Sequence, residues 1–257
     1  RKRFGQNFLR DDSIIEAIAR AIAPTDADHV LEIGPGEGAL TEALITSGCR
    51  LDAIELDRDL RTRLLAAFST HIGFTLHSAD ALQFDFASLA TDNARLRVVG
   101  NLPYNISTPL IFKLLDQSEV IADMHFMLQL EVVERLAASP GGKDWGRLGV
   151  MAQFQCEVEL LFEVPPDAFY PPPKVQSAVV RLTPYSTAPF PDVERADLAQ
   201  VVTQAFAQRR KTLRNNFKGV LTAADWGALQ IDPSARAETL TIDDFISVTH
   251  RLIQTND

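Results

Sequence analysis

Leu96-Arg97-Val98-Val99-Gly100-Asn101-Leu102-Pro103-Tyr104 is the stretch on which the fold turns. Its first five residues are a short apolar run that leads into turn residues, the pattern of a strand buried in a parallel sheet. The next four set an amide, a fixed turn and an aromatic ring at that strand's carboxyl end, where open α/β sheets keep their chemistry. Asn101 offers a side-chain carbonyl as acceptor. Pro103 holds Leu102 extended, so the Leu102 main-chain carbonyl can be aimed rather than tied into a helix. Tyr104 supplies a π-face for stacking. The set suits gripping a flat heterocycle by its face and its exocyclic amine. Taken alone, the same residues also make an ordinary strand-to-helix turn, where Asn and Pro are common.

Outward from this stretch, short strands alternate with helices. Asp12-Ser13 reads as a helix cap, followed by Ile14, Ile15, Ile18 and Ile22 at helical spacing up to Pro24. Strands are expected at His29–Ile33, at Leu51–Glu55, from Phe74–Leu76 to near Asp80, at Leu96–Gly100 and at Met124–Leu130. Helices are expected at Ala39–Ile45 (stopped by Gly48), Arg58–Phe68, Ser107–Leu115 and Glu131–Ala138. This alternation predicts a doubly wound, mostly parallel α/β sheet. Val158–Val164 and Ser177–Leu182 read as two last strands, joined by a stiff loop containing Pro165-Pro166 and Pro171-Pro172-Pro173-Lys174. Thr183 to Asp192 holds three prolines and marks a domain boundary. Beyond it, Asp192–Gln208, Thr212–Phe217, Ala223–Leu229 and Ile242–Ile253 all read as helices. The division expected is therefore residues 1–186 and 187–257.

A chain of 257 residues has room for one large domain and a small one, and 46% hydrophobic with 23% charged residues is ordinary for a globular protein. No stretch approaches the roughly 18 uninterrupted apolar residues of a membrane span, and no signal peptide is visible. Cys49 and Cys156 lack metal-ligand spacing and a disulfide framework, which suits the cytoplasm. The start at Arg1, without methionine, implies that further residues precede it. The net charge of −9 disfavours a nucleic-acid partner at first sight, but its distribution does not. Arg1, Lys2, Arg3 and Arg10 lie in one window without acids; Arg209, Arg210, Lys211, Arg214 and Lys218 lie in another. The remainder then carries −18. An acidic protein with two local basic windows can still face phosphates.

Gly34-Pro35-Gly36-Glu37-Gly38-Ala39 follows a strand and opens a helix, a loose match to a dinucleotide-binding turn and equally to a tight turn in which glycine permits close packing. Glu55 ends the second strand about 20 residues on, where a carboxylate accepts from ribose hydroxyls. Asp80 ends the third, where it can accept from an adenine amino group. A dinucleotide would set its pyrophosphate on the helix amino terminus, where Glu37 stands. A phosphate-free, positively charged nucleoside suits that acidic rim better, which favours S-adenosylmethionine over NAD.

With these motifs the chain resembles the small-subunit (16S) ribosomal RNA adenine N6,N6-dimethyltransferases, the bacterial kasugamycin-sensitivity family of class I S-adenosylmethionine-dependent methyltransferases. The resemblance runs through Arg1-Lys2-Arg3-Phe4-Gly5-Gln6-Asn7-Phe8-Leu9, Glu32-Ile33-Gly34-Pro35-Gly36, Asn101 to Ser107, Phe169 with Pro171-Pro172-Pro173-Lys174-Val175, and Arg209 to Asn215. It implies a Rossmann-like seven-stranded, mostly parallel sheet with an antiparallel last strand and a small all-helical carboxyl-terminal domain. The first domain would be catalytic and the second would serve RNA binding and assembly. By the same resemblance Asn7 and Leu9 line the cofactor pocket. Gly34, with Gly36 in the same turn, approaches the methionine part, Glu55 the ribose and Asp80 the adenine, while Asn101 borders cofactor and target. The implied substrate is a pair of adjacent adenosines in a hairpin loop near the 3′ end of 16S rRNA, each methylated twice within an immature 30S subunit. Gly149 and Tyr170 depart from the family pattern of Ser and Thr.

From the residues themselves, the Asn101 side-chain carbonyl and the Leu102 main-chain carbonyl are the candidate acceptors for the two N6 hydrogens, with Pro103 fixing the turn. Tyr104 is expected to stack on one face of the base and Phe169 to cover the other, unless Phe169 is a core plug. Arg209, Arg210, Lys211, Arg214, Lys218 and Lys174 are candidates for phosphate contact. No metal site is expected, nor a membrane partner, and a monomer is. The competing expectations are a large-subunit rRNA adenine N6-methyltransferase of the macrolide-resistance type and a non-catalytic 30S assembly factor.

Overall fold

The computed structural model describes residues 7–90 and 94–256. Arg1, Lys2 and Arg3, and their motif as far as Gln6, lie outside the described residues.

The chain order is β1 (Phe8–Leu9), α1 (Asp12–Ile22), β2 (His29–Ile33), α2 (Ala39–Ile45), β3 (Arg50–Ile54), α3 (Arg58–Phe68), β4 (Phe74–His77), β5 (Leu96–Asn101) and α4 (Ser107–Leu115). Then come β6 (Ile121–Gln129), α5 (Leu130–Leu136), α6 (Arg147–Gln155), β7 (Cys156–Val164), β8 (Phe169–Tyr170), β9 (Ser177–Pro184), α7 (Arg195–Ala205), α8 (Leu213–Asn216), α9 (Ala223–Leu229) and α10 (Ile242–Asn256).

Two compact units result, one formed by the residues up to Val133 with Glu157–Pro184, the other by Glu134–Cys156 with the residues from Tyr185 onward. The proline-marked boundary near 186 is thus found at 184/185, but the segment Glu134–Cys156 leaves the first unit, contrary to the division into 1–186 and 187–257. Its anchor in the second unit is Trp145, a fully buried indole whose Nε1 donates to the Leu240 carbonyl at 2.8 Å.

The first unit carries a seven-stranded sheet in the order β4-β3-β2-β5-β6-β9-β7. The five strands from β4 to β6 pair in parallel and β9 runs antiparallel to β6. Strands buried on both faces need apolar residues throughout, which is why β2 and β5 read as near-continuous hydrophobic runs. One glycine decides how β2 and β5 meet. A Cβ on Gly100 would stand 2.4 Å from the Ile33 carbonyl oxygen, so no other residue lets the two strand ends close this far.

Several local expectations are corrected. The cap of α1 is Asp11, not Asp12-Ser13, because the Asp11 carboxylate accepts from the main-chain NH of Ser13 (2.9 Å) and Ile14 (3.2 Å). The third strand ends at His77, short of Asp80, and the fifth starts three residues early, at Ile121. Helix α6 was not expected at all. It buries Leu148, Gly149, Val150, Met151, Ala152 and Phe154, so it lacks the one-sided stripe that betrays a surface helix. Gly149 is needed there, since a Cβ would lie 2.6 Å from the Arg135 carbonyl oxygen. The ribbon of β1 with β8 was also missed, two residues a side being too short to show an alternation.

Candidate active site

A cavity of about 360 Å³ opens within the first unit at the carboxyl ends of β2 and β5. Gly34 to Glu37 form one wall; Gly34, Gly36 and, just beyond it, Gly38 have φ of 68°, 60° and 90°, left-handed values that glycine takes without strain. Asn7–Leu9 forms the roof. The Phe8 ring lies so close to Gly36 that a Cβ there would meet it at 3.2 Å.

Asn101 ends β5 with its amide nitrogen donating to the Asn7 main-chain carbonyl at 3.4 Å. This bond uses one of the two amide N–H donors, and no donor among the described residues meets Oδ1. The Leu102 amide donates to the Met127 carbonyl at 3.2 Å, while the Leu102 carbonyl accepts nothing among the described residues. Both oxygens belong to cavity-lining residues. Unpaired acceptors in a partly buried pocket await a donor. Tyr104 is held by its hydroxyl against Ser177 Oγ at 3.1 Å, which fixes the ring at the rim.

Three further ionisable groups line the cavity. Glu55 is buried and accepts from the main-chain NH of Asp57 at 2.8 Å. Burial raises its pKa, offset in part by main-chain NH groups of Asp57, Gly36 and Leu56. Glu32, on β2, is 2% exposed; burial pushes its pKa up to about 7, against the lowering effect of the Thr41 hydroxyl that donates to it at 2.6 Å. His125, on β6, is buried with neither ring nitrogen hydrogen-bonded among the described residues, its Nδ1 lying 3.4 Å from Asp123. Glu37 at the rim is not a bare carboxylate. Arg10 reaches it at 2.9 Å and Arg63 at 3.4 Å, so two guanidiniums face this one acid. The expectation that Glu37 would repel phosphate is thereby overturned.

Of the residues singled out from sequence, Asn7, Leu9, Gly34, Gly36, Glu55, Asn101, Leu102, Pro103 and Tyr104 share this cavity. Asp80 does not line it; its Oδ1 accepts from the Leu82 amide at 2.9 Å and holds the turn after β4. Phe169 is not in the wall either. It is 4% exposed, packed in the core cluster with Leu9, Val164, Ala168 and Val179, so in this arrangement it is the core plug and not a cover for a base. Strand alternation explains it: Phe169 points in, and Tyr170 points out. Lys174 is exposed on the proline loop. In the second unit Arg209, Arg210, Lys211, Arg214 and Lys218 are all exposed, with Arg209 paired to Glu238 at 3.6 Å.

Sequence reasoning missed Glu32 and His125 as cavity groups. The available signal was a charged or titratable residue inside an otherwise apolar strand, which is rarely placed there without a use. The cavity's dimensions and chemistry fit a nucleoside cofactor bearing positive charge. Its volume falls in the ~300–1,000 Å³ range of small-molecule sites, glycines admit close approach, and three carboxylates, Glu32, Glu37 and Glu55, line it. Among the described residues, no cluster of His, Cys, Asp or Glu is suited to a metal ion, and no helix is long and apolar enough to cross a membrane.

A family model described as ribosomal RNA adenine dimethylase matches residues 1–254. The chain is 57% identical over 254 residues to "Ribosomal RNA small subunit methyltransferase A" of Pseudomonas aeruginosa, covering 99% of this chain and 95% of that protein. It is 58% identical to the protein of the same name from Saccharophagus degradans, covering 98% and 94%. Among solved structures, a dimethyladenosine transferase from Plasmodium falciparum superposes with a TM-score of 0.81 at 23% identity, over 97% of this chain and 98% of that one. The 23S rRNA methyltransferase ErmE superposes at 0.74 and 24%, over 96% and 100%. At those identities the structures share the fold.

Proposed function

The chain belongs to the ribosomal RNA adenine dimethylase family, and on that premise we propose that it methylates N6 of two adjacent adenosines in a hairpin loop near the 3′ end of 16S rRNA. It is an S-adenosylmethionine-dependent methyltransferase of small-subunit ribosomal RNA. The observation that carries the site assignment is the pair of unengaged acceptors, Asn101 Oδ1 and the Leu102 carbonyl, in one cavity with the glycine turn.

The N6 lone pair of adenine is delocalised into the ring and is a poor nucleophile. Asn101 Oδ1 and the Leu102 carbonyl each hold one N6–H, which pyramidalises the nitrogen and orients its lone pair. Tyr104 stacks on the base and keeps it out of its helix. The bound cofactor supplies a methyl group on a sulfonium. Gly34 and Gly36 admit it closely, Glu55 accepts from its ribose, and Asn7 and Leu9 close over it. No strong base is needed, because the amine becomes acidic only as the new N–C bond forms, and its proton leaves past the same two acceptors to water. The contribution of the chain is orientation and a preorganised field around nitrogen as positive charge grows there. After the first transfer only one N6–H remains, so one acceptor loses its partner while a methyl group takes up room.

Arg209, Arg210, Lys211, Arg214, Lys218 and Lys174 contact phosphates, positioning the RNA without reading its sequence. The partner is an immature small subunit in the cytoplasm, engaged by a monomer. Incubation with isotopically labelled methyl donor and either immature 30S particles or naked 23S RNA, followed by mass spectrometry of the RNA, tests this reading. Label is expected as N6,N6-dimethyladenosine at two neighbouring positions of 16S rRNA. Label confined to 23S RNA would replace the substrate, and none anywhere would remove the activity.

A further inference from the structure

We propose that Tyr170, with Arg10 over its ring and Lys174 on the same loop, is a stacking platform for a nucleotide adjacent to the target adenosine. The proposal rests on the rRNA reading above and assigns a positioning role to three residues outside the cavity wall.

Tyr170 is 63% exposed, far more than an aromatic ring at the edge of a strand pair requires. Its backbone is fixed by the antiparallel pairing of Tyr170 with Phe8, and Phe8 itself lines the cavity. The ring therefore stands beside the mouth, one strand spacing from the roof. Pairing with β1 engages the main chain only and does not account for an aromatic side chain turned to water.

The chemistry around the ring selects the partner. The Arg10 guanidinium lies 5.0 Å from the ring centroid and is held by Glu37 at 2.9 Å. Arg63 shares that carboxylate, so Glu37 meets two guanidiniums. From Tyr170 the chain runs through Pro171-Pro172-Pro173, whose fixed φ angles keep it stiff. It then reaches Lys174, which is exposed and makes no ion pair among the described residues. Glu163, an acid that also faces solvent in this unit, accepts from Gln176 at 2.8 Å. The loop returns at Ser177, whose hydroxyl meets Tyr104. An exposed aromatic ring with a guanidinium over one face, on a loop that carries a lysine, suits single-stranded nucleic acid, with the ring meeting a base and the cations meeting phosphates. A ring that can meet a base, close to an exposed lysine without an ion pair among the described residues, favours RNA as the occupant.

The test compares wild type with Tyr170→Ala, Tyr170→Phe and Lys174→Gln on immature small-subunit particles. Tyr170→Ala is expected to raise KM for the particle about 5- to 100-fold, the range one base–aromatic stack carries. Its kcat should stay within about twofold and its binding of S-adenosylhomocysteine should not change; Tyr170→Phe should restore KM. Lys174→Gln should reduce the slope of log affinity against log salt by about one. Unchanged KM in Tyr170→Ala, with an active wild type, overturns the platform and leaves the function standing. A wild type that binds S-adenosylhomocysteine yet transfers no methyl sinks the rRNA reading, and the platform with it.

Discussion

The amide nitrogen of Asn101 donates to the main-chain carbonyl of Asn7, 94 residues away in the chain, at 3.4 Å. The bond ties the roof of the cavity to the Asn101 side chain, so on the proposed mechanism the roof is what aims Oδ1. Replacing Asn101 by Asp keeps the shape but sets a carboxylate oxygen against the Asn7 carbonyl. Both Asn101→Asp and Asn101→Ala are expected to lower single-turnover methyl transfer by about 10²–10³, the cost of removing one aimed group. Calorimetric binding of S-adenosylhomocysteine should shift only a few-fold. Near-normal transfer by the alanine variant would discard the amine clamp.

Glu32 makes the stability pH-dependent. Its pKa is raised to about 7 in the folded protein, with burial as the chief cause. Unfolded, it titrates near the ordinary value, so the stability present below about pH 4.5 is lost as pH rises through 7. The loss is on the order of 3 kcal/mol. Glu32→Gln should remove that step, so urea denaturation at pH 8 should find the variant more stable than wild type, with the gap closing by pH 5. Parallel pH profiles would mean that the carboxyl is not titrating in this range.

Tyr104→Phe deletes the hydroxyl that meets Ser177 at 3.1 Å but keeps the ring. About 1 kcal/mol of stability should go, with KM for RNA little changed. Tyr104→Ala should weaken RNA binding by a further ~1–3 kcal/mol through the lost stack. Equal KM values for the two variants would deny the ring its stacking role.

Gly100→Ala is the sharpest test of the strand junction. The added methyl would start 2.4 Å from the Ile33 carbonyl oxygen, a main-chain atom that cannot swing aside. Destabilisation of about 1–3 kcal/mol or more is expected by thermal denaturation, with activity lost along with the geometry of Asn101. A variant as stable as wild type would contradict the closeness of β2 and β5.

Reversing Arg209, Arg210 and Lys211 to Glu tests the exposed basic turn of the second unit. RNA affinity should fall and its dependence on salt should flatten, since fewer counterions are released. An unchanged slope of log affinity against log salt would take this turn out of the RNA interface.

The amino-acid sequence by itself determined the parallel sheet, the glycine turn and the Asn101–Tyr104 corner. Buried strands must be apolar throughout, left-handed turns need glycine, and X-Pro bonds fix extended chain; each is a local rule written in adjacent residues. What only the tertiary structure decided lies in contacts between distant segments. Phe169 and Tyr170 are neighbours of similar chemistry, and pairing with Phe8–Leu9 sends one into the core and leaves the other in water. Asp80 stands outside the cavity lining, with one carboxylate oxygen holding its own turn. Glu37 looked like an exposed acid until Arg10 and Arg63 met on it. The segment Glu134–Cys156 joins the helical unit because Trp145 finds Leu240 across 95 residues. Burial and ion pairing are properties of neighbours in space, and no local pattern encodes which neighbours those are.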